Sequence, residues 1–231
     1  MLFNSYEINN MITYSKSNLS EIVVTYVKNK ILTGELKSGD RLVETDMSEE
    51  LQISRAPIRE ALRELHMRGF LLFSPKKGSQ ILNLDMKDIA EIFSIRIPLE
   101  MQVLTIIFEK ELLDEKDLEY LEALNKKMIS LDEDTISDEK EKKFIFNTYD
   151  LAFHEFFWKK SESFRRADIL QNQYFQLLAA MNKDASTLGS AEEKYEEHQK
   201  IVDACRSGSL NQALSTFQKH MDSYLNAVQM L

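Results

Sequence analysis

Asp150 and His154 stand four residues apart in an apolar run, Phe144 to Trp158, that reads as one helix. At that spacing both side chains leave the same helix face, and Phe146, Phe153 and Phe157 share it. His198 aligns in the same way with Tyr195, Ile201, Val202 and Cys205, and His220 with Phe217, Met221, Tyr224 and Leu225. Three of the four histidines therefore occupy core-facing stripes of three different helices, and one has a carboxylate beside it. A buried ionised aspartate is costly unless it is paired or bound to a metal. Imidazole nitrogens and a carboxylate oxygen form a donor set for zinc or another first-row divalent ion. Each histidine alone reads as a hydrogen-bonded core residue; the three together raise the metal reading, and spacing leaves both open. The fourth, His66, reads as exposed.

A second set of residues is basic. Between 55 and 77 the chain carries Arg55, Arg59, Arg63, Arg68, Lys76 and Lys77 against Glu60 and Glu64. Arg55 and Arg59 are four apart and project from one face of a helix's first turns. A helix that enters the major groove needs Arg, Ser or Asn near its N-terminus to reach base edges. Lys76 and Lys77, in the turn between Ser74 and Gly78, suit phosphate or an adjacent minor groove. The same bases also suit a plain solvated face, and composition alone does not separate the two.

The elements that must position these residues follow from caps, breakers and periodicity. Ser20 is placed to cap a helix bearing Ile22, Val23, Val27, Ile31 and Leu32, which stops at Gly34. Leu42 and Val43 form a brief strand, and a second helix holds Met47 and Leu51. Ser54 caps a third helix with apolar Ile58, Ala61, Leu62 and Leu65; Pro57 lies in its first turn, where a missing N–H does little harm. Gly69 ends it, and Phe70–Phe73 and Ser79–Leu82 read as a hairpin. Two helices, a tight turn and a basic hairpin make a winged helix-turn-helix. From Asp85 onward six or seven helices are expected: one from Asp85 to Phe108 bent at Pro98, one through Leu118 to Met128, and one from Phe144 to Trp158 after a charged connection, Asp132–Lys143. The last three cover about 163–184, 190–206 and 209–230. The expected fold is mainly α: an N-terminal extension 1–19, a winged helix-turn-helix over 20–83 with a small β-hairpin wing, and an all-α helical bundle over 84–231.

Composition agrees. The 231 residues include 29 Lys and Arg, 38 Asp and Glu, and only 6 Gly and 3 Pro, against a turn-rich all-β fold. Residues 20–83 hold ten bases and nine acids, whereas 84–231 hold eighteen and twenty-eight, so the net charge of −9 belongs to the C-terminal part. No apolar run approaches the roughly 20 residues of a membrane span, and the opening residues lack the pattern of a secretory signal. A single cysteine, Cys205, excludes an internal disulfide and fits a reducing cytosol, so a cytoplasmic location is expected.

The stretch LKSGDRLVETDMSEELQISRAPIREALRELHMRGFLLFSPKKGSQIL, with Ser54-Arg55-x-Pro57-x-Arg59-Glu60-Ala61-Leu62, Gly69 and Lys77-Gly78, resembles the DNA-binding domain of the GntR family of bacterial transcription regulators. The resemblance implies that the helix from Ser54 reads the major groove, with Arg55 and Arg59 as principal contacts. It implies backbone contact from the start of the preceding helix, where Thr45 is the candidate within Glu44-Thr45-Asp46, and a footprint completed by the Ser54 hydroxyl and the wing around Gly78. The C-terminal part resembles the FCD domain, the all-helical ligand-binding partner in the FadR-like subfamily. Its metal-binding motifs match Asp150-x-x-x-His154, Glu197-His198-x-x-Ile201-x-Asp203 and His220, and its Arg-x-x-Leu-Glu matches Arg96-x-x-Leu99-Glu100. What this implies is a divalent metal on Asp150, His154, His198 and His220, and an effector carboxylate met by Arg96 beside Glu100. A guanidinium offers such a carboxylate a two-pronged fork.

The expected function is therefore a homodimeric transcription regulator that binds a palindromic operator and responds to a small organic acid beside a metal. Two rivals stand against it. A metal-dependent hydrolase would use the same donors to activate water, but it needs a general base outside the metal shell, for which Glu100 is the candidate. A metal-free dimerisation module would keep the histidines as structural residues.

Overall fold

The computed structural model describes residues 19–74, 78–129, 138–182 and 190–229. Its first part is α1 (Leu19–Leu32), β1 (Arg41–Leu42), α2 (Glu44–Leu51), α3 (Arg55–Met67), β2 (Leu71–Ser74) and β3 (Gly78–Ile81). The three strands form one antiparallel sheet in the order β1-β3-β2, with Leu42 opposite Ser79 and Leu71 opposite Ile81. Helix α1 packs on α3, and α2 packs on α3. Val23, Val27, Ile31, Ile58, Leu62, Leu65, Leu71 and Ile81 fill the space between them. Gln52, in the left-handed region at φ 55°, makes the tight corner between α2 and α3, and Gly69 at φ +73° turns the chain from α3 into the wing. Ser20 lies inside α1 and is buried, so it is not the exposed helix cap that the sequence pattern suggested.

Six helices follow among the described residues: α4 (Met86–Glu109), α5 (Glu115–Ile129), α6 (Glu139–Lys160), α7 (Phe164–Met181), α8 (Ala191–Arg206) and α9 (Leu210–Gln229). Reciprocal capping boxes start three of them, Asp85 with Asp88 at α4, Asp114 with Asp117 at α5 and Ser190 with Glu193 at α8. Helix α4 stays helical on both sides of Pro98. Helix α6 begins five residues before the expected Phe144. Asp138 caps it by accepting from the Lys140 N–H, and Glu139 and Glu141 face the positive end of the helix dipole. Its first turn is charged, and apolar periodicity is blind to such a turn. Residues 132–137 of the expected connection lie outside the described residues.

One apolar cluster runs without a break from Val23 in α1 to Met221 in α9. Helices α6 and α7 carry it across, because both pack against α1. Side-chain and backbone hydrogen bonds tie the same junction. Asn147 Nδ2 donates to the Leu32 carbonyl at 2.7 Å, Asn182 Nδ2 to the Ile31 carbonyl at 2.6 Å, and Gln176 Nε2 to the Gly69 carbonyl at 2.8 Å. The Ser38 N–H donates to the Ala179 carbonyl at 2.9 Å. No helix among the described residues is long and apolar enough to cross a membrane.

Candidate metal centre and nucleic-acid face

The three core-facing histidines meet. His154 on α6, His198 on α8 and His220 on α9 are all buried, and each offers a ring nitrogen within 4.8 Å of the others. Helix α9 packs on α8 and α4, and α6 also packs on α4, which brings the three rings together in the bundle interior. His154 Nε2 and His220 Nε2 are 3.3 Å apart. His198 lies flat on Phe153, ring centres 3.9 Å apart, and neither of its nitrogens has a hydrogen-bond partner among the described residues.

Asp150 adjoins this group. Its Oδ1 is 3.6 Å from His198 Nε2. The Tyr174 hydroxyl donates to its Oδ2 at 2.8 Å and the Tyr224 hydroxyl to its Oδ1 at 3.1 Å. Burial, and then the adjacent Asp150 carboxylate, push both tyrosines well above the ordinary phenol range, so they stay protonated donors. Burial also holds His154 and His198 well below the ordinary imidazole range, with the charge of Arg96 adding to it at His154 and that of His220 at His198. His220 is lowered as well, by burial against the opposing pull of Glu197. The rings are therefore neutral at physiological pH, the form that binds metal.

Glu197, which the sequence reading used only as context for His198, proves to serve His220. Its Oε2 accepts from His220 Nδ1 at 2.9 Å, from Lys194 Nζ at 2.9 Å and from Ser223 Oγ at 3.1 Å. Burial would raise Glu197, but the bonds from His220 and Lys194 hold it down to about 2. An ionised carboxylate on Nδ1 fixes the proton there and leaves the His220 Nε2 lone pair facing His154. That is the usual arrangement behind a metal-ligating histidine. A divalent cation thus fits these residues: the donors are of the right kind, and the orphaned His198 Nε2 is a buried polar atom that a metal bond would satisfy.

A small cavity of about 30 Å³ opens beside the centre, lined by Arg96, Asp150, His154, Tyr174 and Tyr224 together with apolar side chains and Asn147. Arg96 is buried, its guanidinium near the rings of Trp158 and Tyr174 at 5.8 and 5.6 Å. Glu100 differs from its expected role. It is absent from the cavity wall; its Oε1 accepts from Arg96 Nε at 3.2 Å and its Oε2 from Trp158 Nε1 at 2.8 Å. The i,i+4 spacing on α4 puts it behind Arg96, so it orients the guanidinium rather than touching a ligand. Burial raises the Glu100 carboxyl against the pull of Arg96.

The second candidate surface is the head of α3. Ser54, Arg55 and Arg59 are exposed on it, and Pro57 is half-buried in the first turn. Ser54 occupies the N-cap position, but its hydroxyl makes no capping bond. Arg59 Nε is tied to Glu44 Oε2 of α2 at 2.7 Å, and Thr45 Oγ1 donates to Asp46 Oδ1 at 3.0 Å. Gly78 opens β3 with φ +72° and nothing near its Cα on the side-chain face. Lys76 and Lys77 lie outside the described residues. The sequence reading missed Tyr174, Tyr224, Asn147 and Asn182. Of these, only Tyr224 carried a signal, its i+4 register with His220.

Residues 19–81 match the family described as bacterial regulatory proteins, gntR family, and residues 91–223 match the FCD domain. The chain is 38% identical over 96 residues to an HTH-type transcriptional regulator of Bacillus subtilis, YdhC, a match spanning 42% of each chain. It is 26% identical over 212 residues to the regulator LutR of the same organism, spanning 83% of this chain and 92% of LutR. The solved structure of E. coli McbR/YncC has the same fold, with a TM-score of 0.79 at 20% identity over 93% of this chain and 98% of that one.

Proposed function

From the premise that this chain belongs to the GntR family of bacterial transcription regulators and carries an FCD domain, we propose that its operator affinity is set by a small carboxylate effector bound beside a divalent metal. It is a DNA-binding regulator, and its family and relatives are regulators rather than enzymes. Residues 20–83 bind the operator, and 84–231 sense the effector and join two copies into a homodimer whose symmetry matches a palindromic site. The expected extension 1–19 falls outside the described residues except for Leu19, which already belongs to α1. The working location is the cytoplasm, where operator DNA is.

Within this reading Arg55 and Arg59 contact base edges, and Ser54, Thr45 and the wing at Lys76, Lys77 and Gly78 contact the backbone. Pro57 fixes the first turn that aims both arginines. Asp150, His154, His198 and His220 hold the metal, zinc or another first-row ion, which supplies a Lewis-acidic seat for an anion. Arg96, oriented by Glu100, meets the effector's carboxylate.

The observation that carries the reading is one of continuity. Asn147 lines the cavity, and its amide holds the Leu32 carbonyl at the end of α1. Three residues along α6 stands Asp150, and the Tyr174 hydroxyl lies 3.2 Å from the Asn147 carbonyl while it donates to Asp150. An effector changes DNA affinity only by binding two domain arrangements unequally, and this junction is where cavity and winged helix share atoms. The test is direct. Protein purified without chelator or a nickel column is analysed for metal, and its binding to a duplex selected from a random pool is measured with and without chelator and a panel of organic acids. A metal-free protein whose DNA affinity no acid alters would end the reading and leave a dimerisation module with structural histidines.

A further inference from the structure

The cavity separates its chemistry in a way that narrows the ligand. Its polar members are mutual neighbours: Tyr174 and Tyr224 both donate to Asp150, and Arg96 lies near the Tyr174 ring. Most of that polarity is already committed. Both oxygens of Asp150 accept from phenols, the Asn147 amide serves Leu32, and Arg96 Nε serves Glu100. What is left for an incoming polar group is the outer edge of one guanidinium and the histidine centre. Among the described lining residues Arg96 is the one Lys or Arg. The remaining wall is carbon: Phe93, Phe146, Leu177, Leu178, Met181 and Met221.

We propose that the effector is a short aliphatic monocarboxylate, its carboxylate on Arg96 at the metal end and its hydrocarbon body against Phe146, Leu177, Met181 and Met221. This rests on the effector reading above and adds the class of acid. With its first carboxylate on both Arg96 and the metal end, an acid's second carboxylate finds no further cation among the described lining residues, and the hydroxyls along a sugar acid's chain face the carbon wall, so both are desolvated without return. The volume of about 30 Å³ keeps the body short. Met181 and Met221, unbranched and adaptable, are the side chains able to give way to it.

The test uses the full-length protein with the metal it is purified with. Dissociation constants are measured by calorimetry for acetate, propanoate, butanoate and 3-methylbutanoate, and for succinate, citrate and gluconate at the same pH and ionic strength. Affinity should rise about fourfold per buried methylene along the aliphatic series, and gluconate should bind roughly tenfold or more weakly than the best aliphatic acid. Gluconate, succinate or citrate binding tighter than every aliphatic acid, or no dependence on chain length, overturns the proposal while leaving a carboxylate effector in place. No binding by any acid, or binding that survives Arg96→Met, removes the effector reading itself. Phe146 is half-buried, so Phe146→Asn is a mild second probe. It should flatten the chain-length dependence, weakening the longer acids more than acetate; an unaltered dependence would also overturn the proposal.

Discussion

On α3 the candidate DNA-contacting side chains stand in solvent, and one of them, Arg59, is bonded to Glu44. In the bundle His154, His198, His220 and Asp150 are buried, and neighbouring groups fix each role: Phe153 under His198, Glu197 behind His220, Tyr174 and Tyr224 on Asp150. An exposed arginine keeps its hydration and gains its partner only in the complex. A buried imidazole has lost its water in folding, so a ligand atom meets a site that is already dry and aligned. The difference teaches that the two ends of this protein fail differently. Truncation on α3 should alter one interaction, whereas truncation in the bundle disturbs a connected set.

The largest effect expected from that contrast lies at the metal. At about a thousand times its dissociation constant, a metal adds about 4 kcal/mol to the parent. His154→Ala and His198→Ala should lose most of this, while His66→Ala keeps it. Calorimetric melting with and without chelator reads it, and equal shifts in all three variants would erase the distinction between centre and surface.

Acid should separate the two regions next. Burial depresses His154, His198 and His220 in the folded protein, so below about pH 6.5 the unfolded chain takes up protons that the folded one refuses. Stability contributed by keeping them neutral is present above that pH and is lost as pH falls through it, by up to about 1.4 kcal/mol per histidine per pH unit. Urea unfolding of chelated protein at pH 7.5 and 5.5 should show the loss, and His198→Gln should reduce it.

At the DNA face, Arg55→Ala or Arg59→Ala should weaken operator binding by about 1–3 kcal/mol per lost base contact, with the metal-dependent melting shift intact. Fluorescence anisotropy on matched and mismatched duplexes measures both affinity and relaxed specificity. Unchanged binding in both variants would move the reading head off α3.

At the junction, Asn147→Ala should cost about 1–3 kcal/mol, because the Leu32 carbonyl loses its buried donor. The sharper readout is the effector's influence on DNA affinity, which should shrink although neither site is touched. The smallest effect belongs to Glu44→Gln. An exposed pair is worth under about 1 kcal/mol, so stability should barely move, while DNA binding should tighten slightly and its salt dependence steepen as Arg59 is set free.

The winged helix was legible because its signals are local. Gly69 demands a left-handed turn, Pro57 suits a first turn, and Arg55 and Arg59 are placed by helix period alone. The i,i+4 pair Asp150 and His154, and the apolar stripes around His198 and His220, are fixed by the same period. Periodicity cannot say whether three such stripes face one another. That was decided by the packing of α6 and α9 on α4 and of α8 on α9, which brought nitrogens separated by dozens of residues within 4.8 Å. The same packing turned Glu100 from a ligand contact into the support of Arg96, gave Glu197 to His220 and drew Asn147 onto α1. Helix period specifies a side chain's face from its own neighbours in sequence. Its partner across the core depends on how whole helices share their buried surface, and no local pattern in the chain records that.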